Sequence, residues 1–449
     1  MIYYSVRKHY KTNNPFTWKK QKDFMKLLLT SLLSLAVMQA LAQKTFVQCG
    51  KLIDGTGAAP RQSVTIVIEG KTINAIQNGY TTGGTGDVTI DLKDKTVLPG
   101  LIDCHVHIES QYNKGSILDG FRLNDADIAY RAEGFARKTL QAGFTTVRDL
   151  GGTGVNIALR NAINQGLVEG PNILTAGTAI SATGGHMDES VGLRDEMHPP
   201  SSPEKGVANG KDELVKAVRY QFKKGADVIK IASTGGVLDL SKDGSGAQFT
   251  VDEIKTVVET AKDYGMRVAC HAHGAEGIKR AILAGVNSIE HGTYIDDEGM
   301  KLAKRNGTWY VPTIIAGKSV ADSAKIPGFF PPVIAGKASE VGPRMQQAFA
   351  RAYKAGVKIA FGTDAGVYEH GRNALEFQYM VEAGMPAMAA IQAATVNAAE
   401  LLGISKERGS VTAGKMADLI AVDGDPLLHI KVLSDVSFVM KEGKVYKKK

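Results

Sequence analysis

The sequence predicts an α/β protein: a (β/α)8 barrel of the TIM type carrying a small β-sandwich domain assembled from the two ends of the chain. Three observations lead there. A repeat of helical stretch, glycine and short apolar strand fills the middle of the chain. Short β-like segments separated by Gly-rich turns occupy both ends. Histidines gather where the apolar strands stop. The expected divisions are a leader over 1–42, a composite β domain from 43–98 plus 405–449, and the barrel over 99–404.

In the leader, Lys19, Lys20, Lys22 and Lys26 precede an apolar stretch from Leu27 to Val37, and Ala40-Leu41-Ala42 offers a small-residue cleavage site. That is the layout of a secretory signal peptide. Met25, directly before Lys26, is a more natural start than Met1. The apolar stretch is short for a membrane anchor, so the expectation is a bacterial periplasmic or secreted protein, cleaved near Ala42, with no stable membrane span. Residues 1–42 also hold seven Lys/Arg against one acidic residue, leaving 47 basic against 45 acidic in the rest. The formal net charge of +8 is thus mostly the leader's, and no nucleic-acid partner is expected. Cys49, Cys104 and Cys270 make no even disulfide framework and read as buried thiols.

Val64–Ile68 and Val88–Ile90 at one end, and Met416–Val422 and Val436–Met440 at the other, have strand character. Neither end alone supplies enough strands for a stable sheet, so the two share one domain. Between them Gly143, Gly225, Gly265, Gly285, Gly307 and Gly356 each precede an apolar strand, where a left-handed glycine ends the preceding helix. An open doubly wound sheet is the alternative, with Gly152-Thr153-Gly154-Val155-Asn156-Ile157 as its dinucleotide loop. Ile157 stands where that loop needs its last glycine, which favours the barrel.

In a barrel the carboxyl ends of the strands converge on one face. There the sequence places His105 and His107 after strand one, Gly184-Gly185-His186 after strand three, and Lys230 inside the apolar strand four. It adds Cys270-His271-Ala272-His273 at strand five, Glu290-His291-Gly292 at strand six and Gly362-Thr363-Asp364 at strand eight. Six of the ten histidines lie at these ends or in the loop just after one, a pattern that suits one or two divalent ions, zinc before calcium or magnesium. Such an ion acidifies water and polarises a carbonyl, so hydrolysis is the natural chemistry.

Leu98-Pro99-Gly100-Leu101-Ile102-Asp103 before His105-X-His107, with Lys230, His271, His291 and Gly362-Thr363-Asp364, resembles the amidohydrolase superfamily, as does Gly409–Leu419 near the end of the chain. Gly184-Gly185-His186, Thr234-Gly235-Gly236 after Lys230, and His271-Ala272-His273-Gly274 are most similar to its imidazolonepropionase-related peptidases, including Xaa-Pro (prolidase-like) and Xaa-Arg dipeptidases. The resemblance implies that His105, His107 and Asp364 hold the more buried of two divalent ions, expected to be Zn²⁺. His271 and His291 hold the other, and Lys230, as N6-carboxylysine, bridges them. A lysine that snorkels to the barrel mouth or pairs with a carboxylate is the alternative for Lys230. Asp364 is then the proton shuttle and His186 polarises the carbonyl, unless His186 is a solvent-facing loop residue. His273 ligates, orients substrate or supports a ligand. His370 and Arg372 meet a substrate carboxylate or belong to a solvated loop.

The implied activity is amide hydrolysis of a dipeptide or N-acyl amino acid. The alternatives are a cyclic-amide (lactam or imidazolone) hydrolase, a mononuclear deaminase, and a non-catalytic binding protein on the same fold. Lys230 and the His-Ala-His of strand five weigh against the deaminase, which commonly uses a glutamate there. The expected partners are a small-molecule or dipeptide substrate and, since barrel-to-barrel contacts are common in the family, a second copy of the chain in a homo-oligomer.

Overall fold

Both ends of the chain enter one sheet. Strands are numbered in chain order: β1 (Lys44–Leu52), β2 (Arg61–Glu69), β3 (Thr72–Asn78) and β4 (Val88–Pro99) pair with β12 (Leu419–Asp423), β13 (Val436–Lys441) and β14 (Lys444–Lys448) in the order β14-β13-β12-β4-β1-β2-β3. Every pairing is antiparallel except β1 with β4. The computed structural model describes residues 25–26, 43–197, 200–240 and 244–449. The apolar stretch Leu27 to Val37 and the Ala40-Leu41-Ala42 site expected of a signal peptide lie outside the described residues.

Alternation along these strands gives the sheet two apolar faces. Leu419, Ala421, Phe438 and Met440 join Val64, Ile66 and Ile73 in the domain's own core. Ile73 and Phe438 come from strands separated by four others in the sheet order, so the sheet curls over on itself. Among the described residues the hydrogen bonding is that of one curled sheet, where two stacked layers are expected from sequence. Ile420, Val422 and Val439 face the other way and pack into the core of the middle region.

β4 passes through Gly100 straight into β5 (Leu101–Val106). A Cβ on Gly100 would stand 2.1 Å from the Thr145 hydroxyl, so only glycine permits this close passage. β5, β6 (Phe144–Asp149) and β7 (Asn172–Thr175) form one parallel sheet. β8 (Val228–Ala232), β9 (Arg267–Ala272), β10 (Ser288–His291) and β11 (Trp309–Val311) form another. Parallel bridges Ile180↔Ile231, Tyr310↔Ile359 and Val106↔Ala365 link the two, with residues 359–365 lying between β11 and β5. The expected eighth strand is thus a bridged segment without a regular ladder. Its physical reason is Asp103, whose carboxylate accepts the amides of both His105 and Thr363.

The helices between strands follow from amphipathic spacing and caps. In the helix Val251–Asp263, Ile254, Val257 and Ala261 are buried on one stripe, and Thr250 and Glu253 close a capping box at its start. All six glycines that precede strands take positive φ, from 69° at Gly265 to 98° at Gly143. The Gly152–Ile157 segment is a capped helix start: the Glu109 carboxylate accepts the amides of Thr153 and Asn156. A pyrophosphate would need those same amides, so the dinucleotide alternative falls.

Candidate metal centre

β5 delivers His105, and His107 follows two residues on, so both imidazoles turn to one side with ring centroids 5.5 Å apart. His105 Nδ1 lies 3.0 Å from Glu290 Oε2, and His107 Nδ1 lies 2.9 Å from the Gly151 carbonyl oxygen. Acceptors at both Nδ1 positions fix the protons there and leave lone pairs on the Nε2 atoms, that of His105 facing Lys230 Nζ at 3.4 Å. Both Nε2 atoms face Asp364 Oδ1, at 3.5 and 3.4 Å. That oxygen is buried and has no hydrogen-bond partner among the described residues. Two imidazole nitrogens converging on one carboxylate oxygen are a donor set for a cation once Asp364 is ionised. His291 completes the group: one ligand atom from each of His105, His291 and Asp364 lies within 4.8 Å of the others.

The remaining histidines stand beside this group. His291 Nδ1 pairs with Thr313 Oγ1 at 2.8 Å, and His273 Nδ1 with Thr293 Oγ1 at 2.7 Å. His271 instead turns Nε2 to the Gly235 carbonyl at 3.1 Å, which leaves its Nδ1 free. The His271 and His291 rings are 4.7 Å apart. His291, Thr313 and Asp364 hold φ of 70°, 48° and 61°, backbone that non-glycine residues avoid. The Tyr310 hydroxyl donates to the His291 carbonyl, and the Asp364 amide to the His105 carbonyl, so hydrogen bonds hold the strained turns in place.

Lys230 reaches into the centre from β8, with Nζ 3.4 Å from His105 Nε2 and its side chain buried. Burial lowers its ammonium to about 8 and raises the Asp364 carboxyl to about 7. Burial also brings His107 down to about 4 and His273 to about 3, and holds His105, His271 and His291 well below the usual imidazole range. Neutral imidazole is the form that binds metal.

A cavity of about 190 Å³ opens onto these residues. One wall is polar: His105, His107, His186, Lys230, His271, His273, His291 and Asp364. The rest of the lining is mainly apolar, with Val237, Leu238, Val320, Val341, Met345 and Val367 drawn from one apolar cluster. His186 stacks on His271 at 4.2 Å, and its Nδ1 lies 2.6 Å from Asp239 Oδ2. Lys337 Nζ holds the other Asp239 oxygen at 2.8 Å.

Two of the expected residues lie outside the cavity lining. Arg372 lies away from the cavity, 55% exposed and 3.9 Å from Glu369. His370 is buried behind the cavity, its ring stacked on Phe135 and its Nε2 against the Ser110 carbonyl at 2.8 Å. Neither residue is among those that line the cavity. Conversely, sequence reasoning gave no role to Arg148, Asp239 and Glu290.

A sequence profile of the Amidohydrolase family matches residues 96–446. Ochratoxinase of Aspergillus niger is 35% identical over 440 residues, covering 90% of this chain and 87% of that protein. A solved Xaa-Pro dipeptidase with methionine bound in its active site is similar at 50% identity and a TM-score of 0.88, over 90% of this chain and 100% of that one. A prolidase in complex with N-methylphosphonate-L-proline is similar at 30% identity and a TM-score of 0.82, over 91% and 100%.

Proposed function

The chain belongs to the amidohydrolase family and is a hydrolase acting on carbon–nitrogen bonds; from that premise we propose a binuclear zinc dipeptidase, prolidase-like, cleaving a dipeptide or N-acyl amino acid. The observation that carries this reading is the convergence of His105 and His107 on the unpartnered Asp364 oxygen beside an apolar cavity. In it, His105, His107 and Asp364 would hold one ion and His271 and His291 the second, and Lys230, once carboxylated, would supply an anionic ligand shared by both. When bound, the ions polarise the scissile carbonyl and make water acidic enough to react near neutral pH. Asp364 takes the proton of the attacking water and passes it to the leaving nitrogen. His186, oriented by Asp239, donates to the carbonyl oxygen as charge develops on it. His273 orients the substrate.

The eight strand-like segments are read as a closed (β/α)8 barrel, with residues 359–365 as the eighth. The apolar wall of the cavity favours a substrate with an uncharged side chain. Asp364 is the one carboxylate among the described lining residues, so among them a basic side chain, as in an Xaa-Arg dipeptide, lacks a counter-charge of its own. Secretion to the periplasm or beyond remains the reading of the leader. Among the described residues no helix is long and apolar enough to cross a membrane.

A library of dipeptides and N-acyl amino acids, read by release of free amine, tests the function. The expected result is fastest release from apolar Xaa-Pro substrates and little from Xaa-Arg. Turnover of lactams with none of dipeptides would move the reading to cyclic amides, and release of ammonia alone would move it to deamination.

A further inference from the structure

Beneath the proposed metal centre lies a charged layer that no step of the reaction uses. Arg148 on β6 and Ser288 and Glu290 on β10 come from different sheets and meet in the interior, each at most 1% exposed. Arg148 Nη2 donates to Glu290 Oε1 at 2.8 Å, and the Ser288 hydroxyl donates to the same oxygen. Arg148 Nη1 donates to Ser288 Oγ at 3.1 Å and Nε to the Cys104 carbonyl at 2.6 Å. Glu290 Oε1 is thereby saturated with donors, and Oε2 is turned to His105 Nδ1 at 3.0 Å. A buried ion pair is weak support for stability, since well-packed apolar residues often do as well. Its orientation toward a single imidazole nitrogen calls for another account.

We propose that Glu290, clamped by Arg148 and Ser288, is a positioning residue that fixes the tautomer of His105 and so keeps the Nε2 lone pair available to a cation. The inference rests on the metal reading above. A carboxylate at this place only accepts, so the His105 proton stays on Nδ1. In Glu290→Gln the side chain keeps its shape but not its symmetry. Arg148 and Ser288 are donors and take the amide oxygen, which turns the amide NH₂ toward His105. His105 must then accept at Nδ1 and carry its proton on Nε2, where it blocks the ligand position.

The test has two readouts. In the metal-free protein, ¹⁵N-histidine spectra report the tautomer directly: His105 is expected with its proton on Nδ1 in the wild type and on Nε2 in Glu290→Gln. Zinc affinity, measured by competition with a chelator, is expected to fall about 10–100-fold in Glu290→Gln. The pair Arg148→Met with Glu290→Leu removes both charges and imposes neither tautomer, so it is expected to bind less tightly than wild type but more tightly than Glu290→Gln. If Glu290→Gln fails to fold, wild-type affinity in the double variant overturns the proposal. So does an unchanged tautomer or affinity in folded Glu290→Gln. A wild-type chain that takes up no divalent ion overturns the metal reading, and this one with it, whereas normal uptake with unchanged variants overturns the tautomer assignment alone.

Discussion

Lys230 is the residue on which the number of ions turns. Its amine is buried in the cavity lined by His105, Asp364, His271 and His291, where an unpaired ammonium is costly and, on the reading proposed above, a carbamate held between two cations is not. Purified protein is therefore expected to contain close to two zinc or similar ions per chain, and Lys230→Ala close to one, by elemental analysis. A wild-type value near one would end the bridging role. Lys230 was legible in the sequence because a lysine within Val228–Ile231 breaks an otherwise apolar strand. His105, His107, His271, His291 and Asp364 were legible from their places at strand ends. The partners that set each imidazole were not: strand alternation says which way a side chain points but not what it meets across the interior, so Glu290 opposite His105 had no sequence signature. The places of His370 and Arg372 were not legible for a different reason, since the path of a loop is decided by tertiary contacts such as the Ser110 carbonyl that holds His370.

At the scale of the element, the glycines that close helices were read correctly because their chemistry is local. Gly225 ends the helix Gly210–Lys224 with φ 97°, and a Cβ there would meet the Arg160 side chain at an ordinary 3.5 Å. The cost of Gly225→Ala is therefore conformational, about 1–2 kcal/mol for a left-handed alanine. Denaturant unfolding is expected to show the midpoint shifted down with an unchanged slope. A loss well above that range would mean that the site resists the side chain sterically as well. The eighth strand was less legible, because its ladder is interrupted by the Asp103 carboxylate taking the His105 and Thr363 amides. The single curled sheet was likewise beyond the pattern of short strands, since curling depends on contacts far apart in sequence, such as the Thr72–Met416 bridge and the Ile73 amide donating to the Lys415 carbonyl.

The whole molecule couples its two parts through the sheet that both chain ends build. One face of β12 and β13 supplies that sheet's own core through Leu419, Ala421, Phe438 and Met440, while Ile420, Val422 and Val439 lie in the core of the parallel strands. β4 runs into β5 without a linker, the Gly100 amide donates to the Asp418 carbonyl, and Lys441 Nζ donates to the Gly170 carbonyl at 2.7 Å. The three cysteines sample both parts: Cys49 in the composite sheet, Cys104 on β5 and Cys270 on β9. All three are free and buried, and burial pushes the Cys49 and Cys270 thiols up to about 12 and Cys104 higher still. Each pKa is raised, so the thiolate is scarce throughout the neutral range and the native protein is expected to resist alkylation at pH 8. Loosening either part exposes its own thiols. Because the composite sheet shares an apolar face with the barrel strands, Cys49, Cys104 and Cys270 are expected to become reactive over the same range of denaturant, as read by pulse alkylation and mass spectrometry. Labelling of Cys49 at a clearly lower concentration than the other two would show that the sheet opens by itself, and that the shared face contributes less than its burial implies.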